Sequence, residues 1–362
     1  MTVDEVALGL ALQWLTPFRF SCNRLLLQRL PEIHFPPYSL IRLFDPLSIT
    51  QFEMEDPSLG SSLAVVLPSA LGWLISLRNL RACSLPACIP PPPEFTPIHS
   101  TTRTASVFPA QSPIIPGTAT QSTTSTGPTP TATVAACRLL NRALISLRYL
   151  QRLGLARCHL TGHLKVLLNG LSQPLEYLNL QDCCLSVEDI NYLVLQWRPL
   201  HGLYELNLSR NNLSKVPDET LLQLVHNVCL RPRGQLVCLS VAYTCLSIDR
   251  LVWFVGLMAG TEQSTQDTNE ELNDNASDKW IESASTLRVL CIQPFVPPPR
   301  EDIHRILYRA AKLPKLQRLH LFPAAYAFPA SGDIRQRELR LEWISHSRNY
   351  LRQRLRADVE VL

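Results

Sequence analysis

The sequence predicts an α/β fold in which short strands and helices alternate along the chain, and two observations lead to this prediction. An eleven-residue pattern of leucines recurs, most clearly at residues 175–185 and 203–213. After these patterns, apolar residues return with the three- and four-residue spacing of an amphipathic helix. The two clearest patterns begin 28 residues apart, which is enough for one strand and one full helix in each unit.

The recurring pattern is the signature of a leucine-rich repeat. Residues 175–185 read L-x-x-L-x-L-x-x-C-x-L, and residues 203–213 place Asn211 where the first copy has Cys183. In such a repeat the strand directs its leucines inward, and the buried Asn, Cys or Thr hydrogen-bonds the backbone of the turn. Copies in the same register begin at Ile49, Leu150 and Leu236, and degenerate copies at Leu77, Leu287 and Leu316. Repeats of this long class are expected to form a horseshoe-shaped solenoid with its strands on the concave face.

Helices are predicted between these strands. Residues 187–197 have one apolar stripe, and Ser186 and Asp189 at its start have the form of a capping box. Other apolar stripes lie at 221–228 and 303–310, near the N-terminus at 3–14, and near the C-terminus at 344–355. The last of these is expected to be a helix that covers the final repeat.

Two segments whose amino-acid composition differs from that of the repeats interrupt the repeat spacing, and they divide the chain into five parts. The first is rich in Pro, Ser and Thr and the second is acidic, so both are expected to be disordered insertions. The predicted parts are an N-terminal helix and first repeats (1–85), the first insertion (86–133), central repeats (134–260), the acidic insertion (261–279), and the last repeats with a capping helix (280–362).

Composition narrows the class of protein. The chain has 362 residues, 46% of them hydrophobic, and a net charge of +4, which does not favour nucleic-acid binding. Its eleven cysteines form no C-x-x-C pair, and no secretory signal or membrane span is recognised. These features predict free thiols in a reducing compartment, and therefore a protein of the cytoplasm, with the nucleus as the alternative. The chain is also expected to be a monomer.

No catalytic or metal-binding set is predicted. His159 and His163 are four residues apart beside Cys158, which resembles metal-ligand spacing, but Cys158 takes the structural turn position and further ligands are missing. Glu188 and Asp189 are expected to stabilise a helix N-terminus. The sequence therefore predicts a binding protein that is not an enzyme and has no cofactor.

Residues 169–189, NGLSQPLEYLNLQDCCLSVED, resemble the characteristic phrase of the PRAME family, and the likeness continues at 22–30, 74–80, 300–304 and 351–355. The resemblance implies a horseshoe scaffold that regulates signalling, such as NF-κB signalling, through a kinase, or that acts as substrate receptor of a cullin-RING ubiquitin ligase. The family's ligase-adaptor motif precedes its repeats; here Phe18 stands where that motif has Leu. The alternative is a non-catalytic inhibitor that wraps a target enzyme, as the ribonuclease-inhibitor horseshoe does.

The candidate binding residues are the variable residues that flank the inward leucines, since these should project from the concave face. The face is expected to be acidic near its start and basic near its end, with Tyr177 and Phe322 as aromatic anchors. The predicted partner-binding residues are Gln51, Glu53, Glu55, Arg81, Arg152, Tyr177, Asn179, Gln181, Glu205, Asn207, Arg318, His320 and Phe322. In the first insertion, Thr96, Ser112 and Thr129 each precede proline and are candidate phosphorylation sites.

Overall fold

A computed structural model describes residues 20–27, 43–54, 72–89, 131–230, 235–260, 286–295, 298–322, 334–355 and 359–362. Most of both predicted insertions, the predicted N-terminal helix, Glu55 and the three candidate phosphorylation sites lie outside these residues. Within the described part, no helix is both long and apolar enough to cross a membrane.

Ten strands form one parallel sheet, in which each strand pairs with its neighbours in the sequence. The strands are β1 (Arg24–Leu27), β2 (Gln51–Met54), β3 (Ala82–Ser84), β4 (Arg152–Gly154), β5 (Tyr177–Asn179), β6 (Glu205–Asn207), β7 (Cys238–Ser240), β8 (Val289–Cys291), β9 (Arg318–His320) and β10 (Glu360–Val361). The strand order β1 to β10 leaves the sheet open at both ends. The predicted α/β class is therefore confirmed.

A helical segment at 72–76 precedes β3, and further helices connect the strands from β3 onward. They are α1 (Thr131–Ser146), α2 (Leu164–Leu168), α3 (Val187–Asn191), α4 (Asp218–Val225), α5 (Ile248–Met258), α6 (Arg300–Ala310) and α7 (Ile334–Leu355). A π-helical turn follows α3 at Tyr192–Gln196 and α4 at His226–Leu230, and a 3₁₀ turn at Arg198–Gly202 leads into β6. Helices adjacent in the sequence pack together, as in the contacts of α1 with α2 and of α5 with α6.

The strand register explains the leucine pattern. The central residue of each strand from β4 to β9 is buried, and these residues pair with one another across the sheet. They are Leu153, Leu178, Leu206, Leu239, Leu290 and Leu319. The flanking strand residues point the other way, as the two-residue period of a strand requires.

One degenerate repeat has a different register from the predicted one. Cys83 pairs with Phe52 on one side and Leu153 on the other, so Cys83 is the buried central residue of β3. The repeat therefore begins at Leu80, three residues after the predicted Leu77. Ala82 took the apparent place of an inward leucine in the sequence pattern, although it pairs with the outward residues Gln51 and Arg152.

The described residues also reach into both ends of the predicted first insertion. Cys88 and Ile89 are fully buried in the core, and α1 already begins at Thr131. At the other end of the chain, Leu351 of α7 is fully buried. Strand β10 then adds to the sheet beside β9.

Candidate partner-binding surface of the sheet

Buried polar residues in the turns of the central repeats tie these repeats to the ones before them. The amide Nδ2 of Asn211 donates to the Leu180 carbonyl (2.7 Å), and its Oδ1 accepts from the N–H groups of Cys183 (3.0 Å) and Leu185 (3.2 Å). One repeat earlier, the Cys183 thiol donates to the Leu155 carbonyl (3.0 Å). The predicted role of the turn position is confirmed, because these side chains satisfy backbone groups that would otherwise be buried without a partner.

The same series continues through two more cysteines. The Cys158 thiol donates to the Leu85 carbonyl (3.4 Å) and lies 3.5 Å from the thiol of Cys88, which holds the turn position of the β3 repeat. Burial alone would raise the pKa of Cys158, but the Cys88 thiol and the backbone N–H groups of Ile89, Cys88 and Ala87 lower it. We call Cys88, Cys158, Cys183, Asn211 and Thr244 the turn ladder. Its cysteines have a structural role.

Asp189 fixes the start of α3 against the preceding repeat. The capping box predicted with Ser186 is present, and the same carboxylate accepts hydrogen bonds from the N–H groups of Gly162 (2.7 Å) and Leu164 (3.0 Å). Asp189 is buried, and its charge is therefore offset by several donors, as buried carboxylates require. This link and the turn ladder hold the central strands in a fixed register.

Three predicted residues meet at the centre of the strand face, in equivalent positions of β4, β5 and β6. The Arg152 guanidinium lies over the Tyr177 ring, 4.5 Å from its centroid, and 3.9 Å from the Glu205 carboxylate. Tyr177 is half-buried, and this burial raises the pKa of its hydroxyl. We call Arg152, Tyr177 and Glu205 the central cluster.

A polar row runs beside the central cluster. The Asn207 amide donates to the Gln181 side chain (3.4 Å), and the Oδ1 atoms of Asn179 and Asn207 accept from the N–H groups two residues further on. Ser209 continues the row through a 2.6 Å hydrogen bond with Ser240 of β7. Ser209 is buried, whereas Asn179, Gln181, Asn207 and Ser240 are partly exposed and retain donors and acceptors that a partner can use.

The two ends of the face do not carry the predicted separation of charge. Glu53 forms an ion pair with Arg24 at 2.9 Å, and Arg318 forms one with Glu360 at 2.8 Å. The two partners were not predicted, because neither Arg24 nor Glu360 belongs to a copy of the leucine pattern that sets the strand register. His320 lies on the same strand as Arg318, and its pKa is lowered mainly by burial.

Two further residues are not where the prediction placed them. Phe322 is only 5% exposed, because β10 packs beside β9 and the Phe322 N–H donates to the Leu362 carbonyl (3.1 Å). It therefore belongs to the core and is not an anchor. Arg81 is exposed but precedes β3, so Ala82 and Ser84 take the outward positions. With Gly154, these small residues make the β3–β4 part of the face shallow.

The chain has a recognisable relative but no matching family model. It is similar to leucine-rich repeat-containing protein 14 of Xenopus laevis, with 38% identity over 92 residues. The matched stretch covers 25% of this chain and 17% of that protein. The similarity supports a leucine-rich-repeat relationship.

Proposed function

We propose that this chain is a non-enzymatic protein-interaction scaffold that binds a protein partner through the strand face, centred on the central cluster. The proposal takes the sheet and its helices to be a leucine-rich-repeat horseshoe with the strands on the concave side. In repeat proteins of this type, the concave surface is the extended binding surface.

The observation that carries the proposal is the geometry of the central cluster. Arg152 covers Tyr177 and approaches Glu205, so an aromatic ring, a cation and a carboxylate are presented together on rigid strands. Tyrosine and arginine are enriched among the residues that dominate binding energy at interfaces. Because these residues are placed on strands, less conformational entropy is lost when a partner binds.

The finer class rests on the sequence resemblance to the PRAME family. A scaffold of that type would regulate signalling, for example NF-κB signalling through a kinase, or present a substrate to a cullin-RING ubiquitin ligase. The name of the similar Xenopus protein supports only a leucine-rich repeat. The experiment below therefore distinguishes a signalling kinase from a cullin-RING ligase as the partner.

Charge reversal on the face tests the proposal. We expect Glu205→Lys to abolish capture of the partner by the tagged full chain from cells, because it places a second cation beside Arg152 and opposes the original charge pattern. Glu219→Lys, at an exposed position of α4, is the matched control with the same change of charge. Affinity purification with quantitative mass spectrometry measures both, after circular dichroism confirms folding.

The identity of the captured protein decides the finer class. Cullin-RING subunits would support the substrate-receptor role, and a signalling kinase without cullin would support regulation or inhibition. Equal capture by the two variants would place the binding surface elsewhere and refute the proposal.

A further inference from the structure

The turn ladder is interrupted in the repeat of β8, and this interruption creates a groove. Thr244, the last ladder residue, donates from its hydroxyl to the Val241 carbonyl of its own turn (2.8 Å). In the next repeat the ladder position is occupied by Phe295, whose side chain is 57% exposed and packs against Tyr243 with ring centroids 5.4 Å apart. A phenyl ring cannot accept the backbone hydrogen bonds that Asn211 accepts.

The interruption leaves a backbone donor beside the groove. In the equivalent turn of β5, the Leu185 N–H donates to Asn211 Oδ1. Leu246 is the corresponding residue in the turn of β7, and no described residue accepts a hydrogen bond from its N–H. A donor of this kind is stabilised by any carbonyl or carboxylate oxygen that reaches it.

The groove itself is apolar and of useful size. It has a volume of about 380 Å³ and a floor of three buried side chains, Val241, Leu251 and Ile292. Exposed Cys245 and Phe295 stand at its rim. Ligand pockets typically measure ~300–1,000 Å³, so this groove suits one large side chain with its adjoining backbone.

One arginine near the rim of the groove favours an acidic group in the occupant, because Arg210 contacts Tyr243, whose ring packs against Phe295. The exposed Arg210 guanidinium lies over the Tyr243 ring, 5.5 Å from its centroid, and no carboxylate of the described residues is within ion-pair distance. At the start of α5, Asp249 binds Arg305, which also binds Asp302 of α6, and Asp218 of α4 binds Arg250. A stacked arginine is held in place and readily forms a paired contact with a carboxylate.

We propose that this groove binds an extended segment of another protein in which a large apolar residue is adjacent to an acidic residue. The apolar side chain fills the groove, a backbone carbonyl of the segment accepts from the Leu246 N–H, and the carboxylate reaches Arg210. The site is separate from the strand face, so it does not depend on the function proposed for the central cluster.

Synthetic peptides test this occupant directly. Four fluorescein-labelled peptides with a Gly–Ser background carry Leu–Glu, Leu–Gln, Ser–Glu or Leu–Lys at their centre, and fluorescence polarisation measures their binding to the full chain. The Leu–Glu peptide should bind most tightly, and loss of either feature should weaken binding about tenfold. Equal binding of all four peptides, or binding of none, would overturn the proposal.

Chemical modification of one exposed cysteine can block the groove, and a second exposed cysteine outside the groove provides the control. Cys184 and Cys245 occupy equivalent turn positions with positive φ values of 51° and 59°, but only Cys245 lines the groove. In the Cys184→Ser protein, alkylation of Cys245 with a bulky maleimide should abolish binding of the Leu–Glu peptide. In the Cys245→Ser protein, alkylation of Cys184 should leave binding unchanged, and the reverse result would contradict the proposed location.

The charge contribution has an equally close control. Arg157 and Arg210 are both exposed, hold the same turn position and share a φ of 61°. We expect Arg210→Glu to weaken the Leu–Glu peptide about tenfold and to favour Leu–Lys, with little effect from Arg157→Glu. Equal effects of the two variants would show diffuse charge attraction and sink the docking site. Glu205→Lys should leave peptide binding unchanged, which separates this result from the test of the strand face.

Discussion

The turns that follow β6 and β8 use the same position of the repeat in opposite ways. Asn211 is buried after β6 and hydrogen-bonds the backbone of the preceding turn. Phe295 after β8 turns outward and leaves the Leu246 N–H without an acceptor among the described residues. The difference shows that one position can either stabilise adjacent repeats or leave a groove between them, depending on whether its side chain can accept hydrogen bonds.

The strongest test of this comparison removes the ladder amide. We expect Asn211→Leu to lower the free energy of unfolding by roughly 3 kcal/mol, because it leaves several buried backbone groups without partners. Urea denaturation followed by circular dichroism measures the change. Asn212→Leu is the control, because Asn212 is exposed and its side-chain hydrogen bonds among the described residues stay within its own turn, to Ser214. Similar losses in the two variants would contradict the assigned role of Asn211.

A second comparison concerns the helix starts beside these turns. Asp189 of α3 accepts from the N–H groups of Gly162 and Leu164, whereas Arg250, the equivalent residue of α5, donates to the carbonyls of Ser214 (2.8 Å) and Val216 (2.6 Å). Both side chains fix a helix to the preceding turn, but their charges are opposite. The sign of the side chain therefore follows the backbone groups that the turn presents.

Asp189→Asn should cost about 2 kcal/mol of unfolding free energy, because it replaces a charged acceptor by an amide with a donor facing other donors. The same urea titration measures this loss. Glu188→Gln, at the exposed neighbouring position, should leave the midpoint unchanged. A midpoint shift as large for Glu188→Gln would mean that charge at the helix start matters more than the bonds to Gly162 and Leu164.

The sequence predicted the parts of this structure that depend on local periodicity. The inward leucines, the buried turn position and the Ser186–Asp189 capping box all follow from fixed spacings within one repeat. The β3 register was predicted wrongly because Cys83 replaces the central leucine and apolar Ala82 lies next to it. Strand preference depends strongly on neighbouring strands, so a three-residue strand carries little signal of its own.

The features of the candidate site that sequence reasoning missed all depend on contacts distant in the chain. Burial of Phe322 requires β10, and the ion pairs of Glu53 and Arg318 require residues of the two terminal strands. The groove could have been predicted only by recognising that Phe295 takes the ladder position. Its position eight residues after Leu287 was visible in the sequence and would have identified the interruption.

Restoring a polar ladder residue after β8 should have the smallest effect on stability and the most specific local effect. In Phe295→Asn, a new bond to the Leu246 N–H would stabilise by about 1 kcal/mol, while loss of the Tyr243 ring contact would cost a similar amount. We therefore expect an almost unchanged unfolding midpoint. Amide hydrogen exchange should become slower at Leu246 and stay constant at Leu185, whose acceptor Asn211 is untouched. Unchanged exchange at Leu246 would show that a missing acceptor is not what distinguishes the two turns.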